Sequence, residues 1–150
     1  MPATIDVTVE LEQGVRTAAD VMSAPVVTVS VNESLWAAWG LLYRSGFRHL
    51  VVVDGLRVTG LVDDRRILCE WPLGPMGPHH QTVGDIMPRR VHCVLSETPV
   101  PTLARIMLDD RTDAVPVVTQ RGEILGLVTT SDLLCELVAR ADKPNLETST

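Results

Sequence analysis

Two stretches of this chain, residues 17–71 and 82–137, carry the same pattern in register. Thr17-Ala18-Ala19-Asp20-Val21-Met22 is answered by Thr82-Val83-Gly84-Asp85-Ile86-Met87, and Leu50-Val51-Val52-Val53 by Val115-Pro116-Val117-Val118. Ile67-Leu68-Cys69-Glu70 is answered by Leu133-Leu134-Cys135-Glu136. The offset is 65 residues at the start and 66 at the end, which places one added residue near Arg121-Gly122. A repeat of this kind constrains the fold before any local reading does. A unit of about 55 residues cannot bury both its sheet and its helix faces alone, so the two copies must bury them against each other.

Each copy reads as strand, helix, strand, strand, helix. In the first, the β-branched run Val26-Val27-Thr28-Val29 precedes a helix that Asn32 or Ser34 caps, with Leu35, Ala38, Leu41 and Leu42 on one face and Gly46 at its end. In the second, Thr98 is the expected cap and Pro99 the first helical residue, before the face Val100, Leu103, Ile106 and Met107. A hairpin follows in each half, 50–53 with 58–62 and 115–119 with 124–128, and runs into a closing helix over 64–71 or 131–140. The expected fold class is therefore α/β of the α+β kind. It comprises two pseudo-symmetric β-α-β-β-α repeats, packed sheet to sheet as one globular module with helices outside and a cleft on each side.

The expected divisions are an N-terminal arm at 1–16, a first repeat at 17–71, a linker at 72–81, a second repeat at 82–140 and a C-terminal tail at 141–150. The arm alternates Ile5, Val7, Val9 and Leu11 with polar residues, as an extended or edge strand does. Three prolines and two glycines mark 72–81 as a connector, and His79-His80 within it reads as two solvated imidazoles without a third metal ligand. Cys69 and Cys135, repeat equivalents with apolar neighbours, are expected to be small core residues.

A formal charge of −6, with no run of basic residues, argues against nucleic acid as partner. No apolar stretch reaches membrane-spanning length, and the start MPATIDVTVE lacks the regions of a signal peptide, so a cytoplasmic location is expected. No nucleophile–base pair, metal-ligand spacing or Gly-rich phosphate loop is present, so no enzyme activity and no required cofactor or metal is expected.

The Asp-hydrophobic-Met openings, the apolar strands and the run into the last helix, complete in the second half as Gly126-Leu127-Val128-Thr129-Thr130-Ser131-Asp132, recur in order over residues 17–140 and resemble a tandem pair of CBS domains. The resemblance implies a regulatory sensor that binds an adenosine-containing ligand (AMP, ADP, ATP or S-adenosylmethionine) and signals to an unknown protein effector. It also implies a homodimer formed through the main helices of both repeats. On it, Thr129, Ser131 and Asp132 would hold phosphate and ribose, and the adenine would lie between His92-Cys93-Val94 and Asp113-Ala114-Val115. A carboxylate suits a ribose diol, and hydroxyls at a helix N-terminus suit an anion; taken alone the same run reads as a plain helix cap, which would leave a structural dimer with a relic site, while the repeat around it favours the nucleotide.

The first half departs at the same places, with Asp63 for Thr129 and Arg66 for Asp132. Those two could pair with each other and fill the first cleft, leaving one competent site. Arg48 and His49, answered by Asp113 and Ala114, would reach phosphates in the second cleft on the resemblance, or stand as solvated helix-end cations. Trp36, Trp39 and Tyr43 cannot all share the narrow apolar face of the first main helix, so an exposed aromatic and a helix-mediated dimer interface are expected there.

Overall fold

The computed structural model describes residues 3–6, 14–73 and 77–143, with backbone alone for 4–6. The rest of the arm, residues 74–76 of the connector and the tail from 144 lie outside the described residues. The described chain runs β1 (Thr4–Asp6), α1 (Ala18–Val21), β2 (Thr28–Ser30), α2 (Leu35–Ser45), β3 (His49–Asp54), β4 (Arg57–Asp63) and α3 (Asp64–Cys69). After a 3₁₀ turn (Gly77–His79) come α4 (Val83–Ile86), β5 (His92–Leu95), α5 (Val100–Asp110), β6 (Ala114–Val118), β7 (Ile124–Thr129) and α6 (Thr130–Ala141).

Two sheets result, β2-β3-β4 and β1-β5-β6-β7. Within each repeat the first strand pairs parallel with the second, and the second pairs antiparallel with the third. Both hairpins carry an irregularity at repeat-equivalent places, after Val52 and after Val117. β1 adds a parallel strand to the second sheet, Ile5 opposite Cys93. Between the sheets lies a layer that includes Val51, Val58, Cys93, Val118 and Leu127. Each sheet also packs its own helices: Leu35, Ala38 and Leu42 of α2 in one half, Leu103, Ile106 and Met107 of α5 in the other. No helix among the described residues is long and apolar enough to cross a membrane.

The opening turns are exchanged between the halves. Ala18 of α1 is buried in the second-half core, while Val83 and Ile86 of α4 are buried in the first. Their backbones are seated accordingly, Ala18 N–H on Thr98 O at 2.8 Å and Val83 N–H on Glu33 O at 2.8 Å. Met22 lies over Gly126 and Met87 over Gly60, so close that a Cβ on either glycine would stand 2.6 Å from the methionine sulfur. This gives the Asp-hydrophobic-Met opening its physical reason: each methionine covers a glycine in the other half's last strand. At Gly84 a Cβ would meet backbone, 2.9 Å from Val31 O, as well as Val31 Cγ2 at 2.8 Å. Gly84→Ala is therefore expected to lower stability by about 1–3 kcal/mol in urea unfolding, in spite of alanine's better helix propensity.

Two local expectations need correction. Thr98 is not the cap of α5: Pro99 takes that place, and Thr98 is 1% exposed beneath the seat of α1. Cys69 and Cys135 are exposed, because α3 and α6 turn Ile67 and Glu136 inward instead. Glu136 is tolerated at 8% exposure because Arg140 and Arg16 reach it at 3.0 and 3.5 Å.

Candidate functional site

The two repeats end in unlike sites at the heads of their closing helices. In the second, β7 ends at Thr129, the N-cap of the 12-residue α6. Asp132 Oδ2 accepts from Thr129 N–H at 2.8 Å and from Thr129 Oγ1 at 3.1 Å, while Oδ1 accepts only a long bond, 3.4 Å, from Ser23 Oγ. One carboxylate oxygen thus fixes the side chain, and the other keeps acceptor capacity for an incoming hydroxyl. Ser131 is exposed at the head of the same helix, where free N–H groups favour an anion.

In the first cleft Asp63 caps α3, its Oδ1 accepting from Arg66 N–H at 2.6 Å. The Arg66 side chain turns the other way, Nε donating to Ile86 O at 2.8 Å. The expected filling of this cleft by an Asp63–Arg66 side-chain pair is thus corrected, because α4, exchanged in from the second half, offers the guanidinium a carbonyl. The cleft holds a cavity of about 680 Å³ whose wall carries Arg65, Arg66, Arg90 and Arg111 together with Asp63, Asp110 and Asp113. Arg111 ends α5 at φ 53°, where the repeat-equivalent residue of α2 is Gly46 at φ 72°. A cavity-lining arginine therefore occupies a backbone position that glycine holds with less strain.

His49 and His92 also line that cavity, each tied to a carboxylate: His49 Nε2 to Asp113 Oδ1 and His92 Nδ1 to Asp110 Oδ2, both at 2.9 Å. Burial alone would raise the Asp113 pKa, but the hydrogen bond and charge of His49, helped by Arg48, hold it below the ordinary aspartate value. His49, Asp63 and Asp113 each offer one ligand atom, all within 4.8 Å of one another. No spacing in the sequence signals this group, since 64 residues separate His49 from Asp113.

The residues singled out in sequence thus divide between two places. Thr129, Ser131 and Asp132 stand by Ser23, whereas His92, Asp113 and Ala114 line the other cleft with Asp63 and Arg66. The expected adenine slot beside Asp132 is corrected accordingly, because each half's opening segment crosses the partner half before entering its own sheet. Cys93 and Val94 are 0% exposed in two separate cores and present nothing to a ligand. His49 is not a solvated cation, with its side chain 12% exposed and held by Asp113; Arg48 is exposed and lies 3.6 Å from Asp64. Trp36 and Tyr43 are exposed, while Trp39 is half-buried against the first core. His79 is not simply solvated either, its ring centroid lying 5.1 Å from that of Trp36.

Burial pushes the Cys93 thiol up to about 12. Thiol titration of the native protein at neutral pH is expected to modify Cys69 and Cys135 readily and Cys93 only after unfolding.

The CBS domain family matches residues 18–71 and again 83–139. The chain is 30% identical over 130 residues to an uncharacterized protein, MJ1404, of Methanocaldococcus jannaschii, covering 85% of this chain and 28% of the relative. It spans between 14% and 28% of the length of the first curated relatives it matches. Among solved structures it is similar to the CBS domain pair of protein MJ0100 in complex with 5-methylthioadenosine and S-adenosyl-L-methionine. That pair is 25% identical at a TM-score of 0.73, over 84% of this chain and 98% of the other. The cytosolic domain of the Mg2+ channel MgtE in complex with ATP is 25% identical at a TM-score of 0.70, over 81% of this chain and 48% of that one.

Proposed function

The chain belongs to the CBS domain family, and from that premise we propose that it is a regulatory pair binding one adenosine-containing ligand in the cleft at the head of α6. The observation that carries this reading is Asp132, fixed through Oδ2 with Oδ1 left to accept from a ribose. Thr129 and Ser131 flank it at the N-terminus of α6, and the exposed Arg48, whose repeat counterpart Asp113 lines the other cleft, is the basic residue offered to a phosphate. The solved CBS pairs with 5-methylthioadenosine and S-adenosyl-L-methionine, and with ATP, support the ligand class. A single arginine suits a monophosphate better than a triphosphate, so AMP is favoured over ATP.

The module pairs with a second copy through α2 and α5, whose exposed Trp36, Tyr43 and Leu108 would otherwise face water. Ligand binding then shifts the shape of that dimer for a protein effector. Calorimetry with AMP, ADP, ATP and S-adenosylmethionine is the test, and one ligand per chain is expected. Two equal sites would defeat the asymmetry between the clefts. Failure of all four ligands, with a dimer in light scattering, would leave the purely structural pair.

A further inference from the structure

The first cleft has lost the residues that suit a ribose, yet its polar residues converge on one point. The geometry points to a divalent transition-metal site of the zinc type at that point, formed by His49 Nε2 and one carboxylate oxygen each from Asp63 and Asp113. His49 opens β3 and Asp63 closes β4, and the two are direct partners across that hairpin, so both project to one side of the sheet. Asp113 comes from the other half, one residue before β6, and brings Oδ1 to 2.9 Å from His49 Nε2. Asp63 Oδ1 accepts the cap bond of α3, which fixes the carboxylate's position beside His49.

One ligand atom from each of the three residues already lies within 4.8 Å of the other two. Around zinc, with bonds of about 2.0–2.2 Å, ligand atoms in a tetrahedral shell stand about 3.4 Å apart, so side-chain adjustments of under about 1 Å close the set. A neutral imidazole and two carboxylates match the charge of a divalent ion, and the mixed N/O donor set suits zinc better than calcium or magnesium. Arg66 and Arg48, the cations adjacent to these ligands, are held by Ile86 O and near Asp64. The remaining coordination position faces the 680 Å³ cavity, with Arg65, Arg90 and Arg111 on its wall.

The second half supplies an internal control. The places of His49, Asp63 and Asp113 are taken there by Ala114, Thr129 and Arg48, which offer no such set. Three independent changes between the copies thus all supply ligand types to one cleft and to neither place in the other. A merely decayed nucleotide site gives no reason for that coincidence.

The test is titration of the metal-free protein with Zn2+ by calorimetry and with Co2+ by visible absorption, whose tetrahedral bands report the geometry. One metal per chain is expected, weakened about tenfold or more in His49→Ala and in Asp113→Asn. Binding should be unchanged in Cys69→Ser, which alters another donor on the cavity wall, and in His80→Ala in the connector. It should also persist in Asp132→Ala, which separates this site from the nucleotide reading. Absence of saturable binding, or binding unaffected by both His49→Ala and Asp113→Asn, would overturn the assignment. Asp113→Asn is isosteric, so it decides the matter if His49→Ala fails to fold.

Discussion

Replacing Asp132 by alanine is expected to weaken adenosine-ligand binding by at least about 100-fold in calorimetry, since two hydroxyl bonds to a charged acceptor are worth about 1.5–3 kcal/mol each. The same change costs the fold something. Asp132 accepts from Thr129 N–H and Thr129 Oγ1 at the start of α6, and from Ser23 across the halves. Loss of a cap of this kind lowers stability by about 0.5–2 kcal/mol. Binding must therefore be measured well below the variant's unfolding temperature, with folding followed separately by circular dichroism. Asp132→Asn divides the two effects, because an amide keeps the shape and one acceptor but loses the charge. It should retain most of the stability while binding stays weak. A folded Asp132→Ala protein that binds as the parent does would take the ligand out of this cleft altogether.

The architecture was legible because its determinants are periodic. Leu35, Ala38 and Leu42 and their counterparts Val100, Leu103, Ile106 and Met107 are all buried, as their helical spacing requires. The exchange of α1 and α4 was not legible. Nothing local in Asp20-Val21-Met22 says which of two similar sheets it covers, and only Gly126 and Gly60, read as places kept clear for a methionine, carry that information. The site reading failed in part for the same reason. The family resemblance puts His92 and Asp113 with Asp132, whereas the crossing carries them to Asp63 and Arg66 and brings Ser23 to Asp132. The cysteines show the limit of apolar neighbourhood as a guide: in a short helix one or two positions face the core, and Ile67 takes that place rather than Cys69.

Leu103→Ala is expected to be among the most damaging single truncations in the core. Leu103 is 0% exposed on the inner face of α5, in one core cluster with Val94, Ile106, Val115, Val117 and Val128. Truncation there removes buried methyl groups and leaves a void, for a loss of about 2–5 kcal/mol. In a chain of this size that lowers the melting temperature by roughly 5–20 °C. The repeat makes the expectation sharper than a generic core argument, because the equivalent residue of α2 is already alanine, Ala38, also 0% exposed. The first half manages with alanine because the half-buried Trp39 and Trp71 pack against its core, their centroids 6.1 Å apart. Among the described residues, the second core has Val21, Met22 and Leu133 at its edge and no aromatic to move inward. Ala38→Leu, conversely, overfills the first core at about 1–3 kcal/mol. The two residues belong to separate clusters without shared core partners, so the double variant should lose the sum of the two within about 0.5 kcal/mol. A double variant no less stable than Leu103→Ala alone would mean that the two cores are coupled through the layer between the sheets.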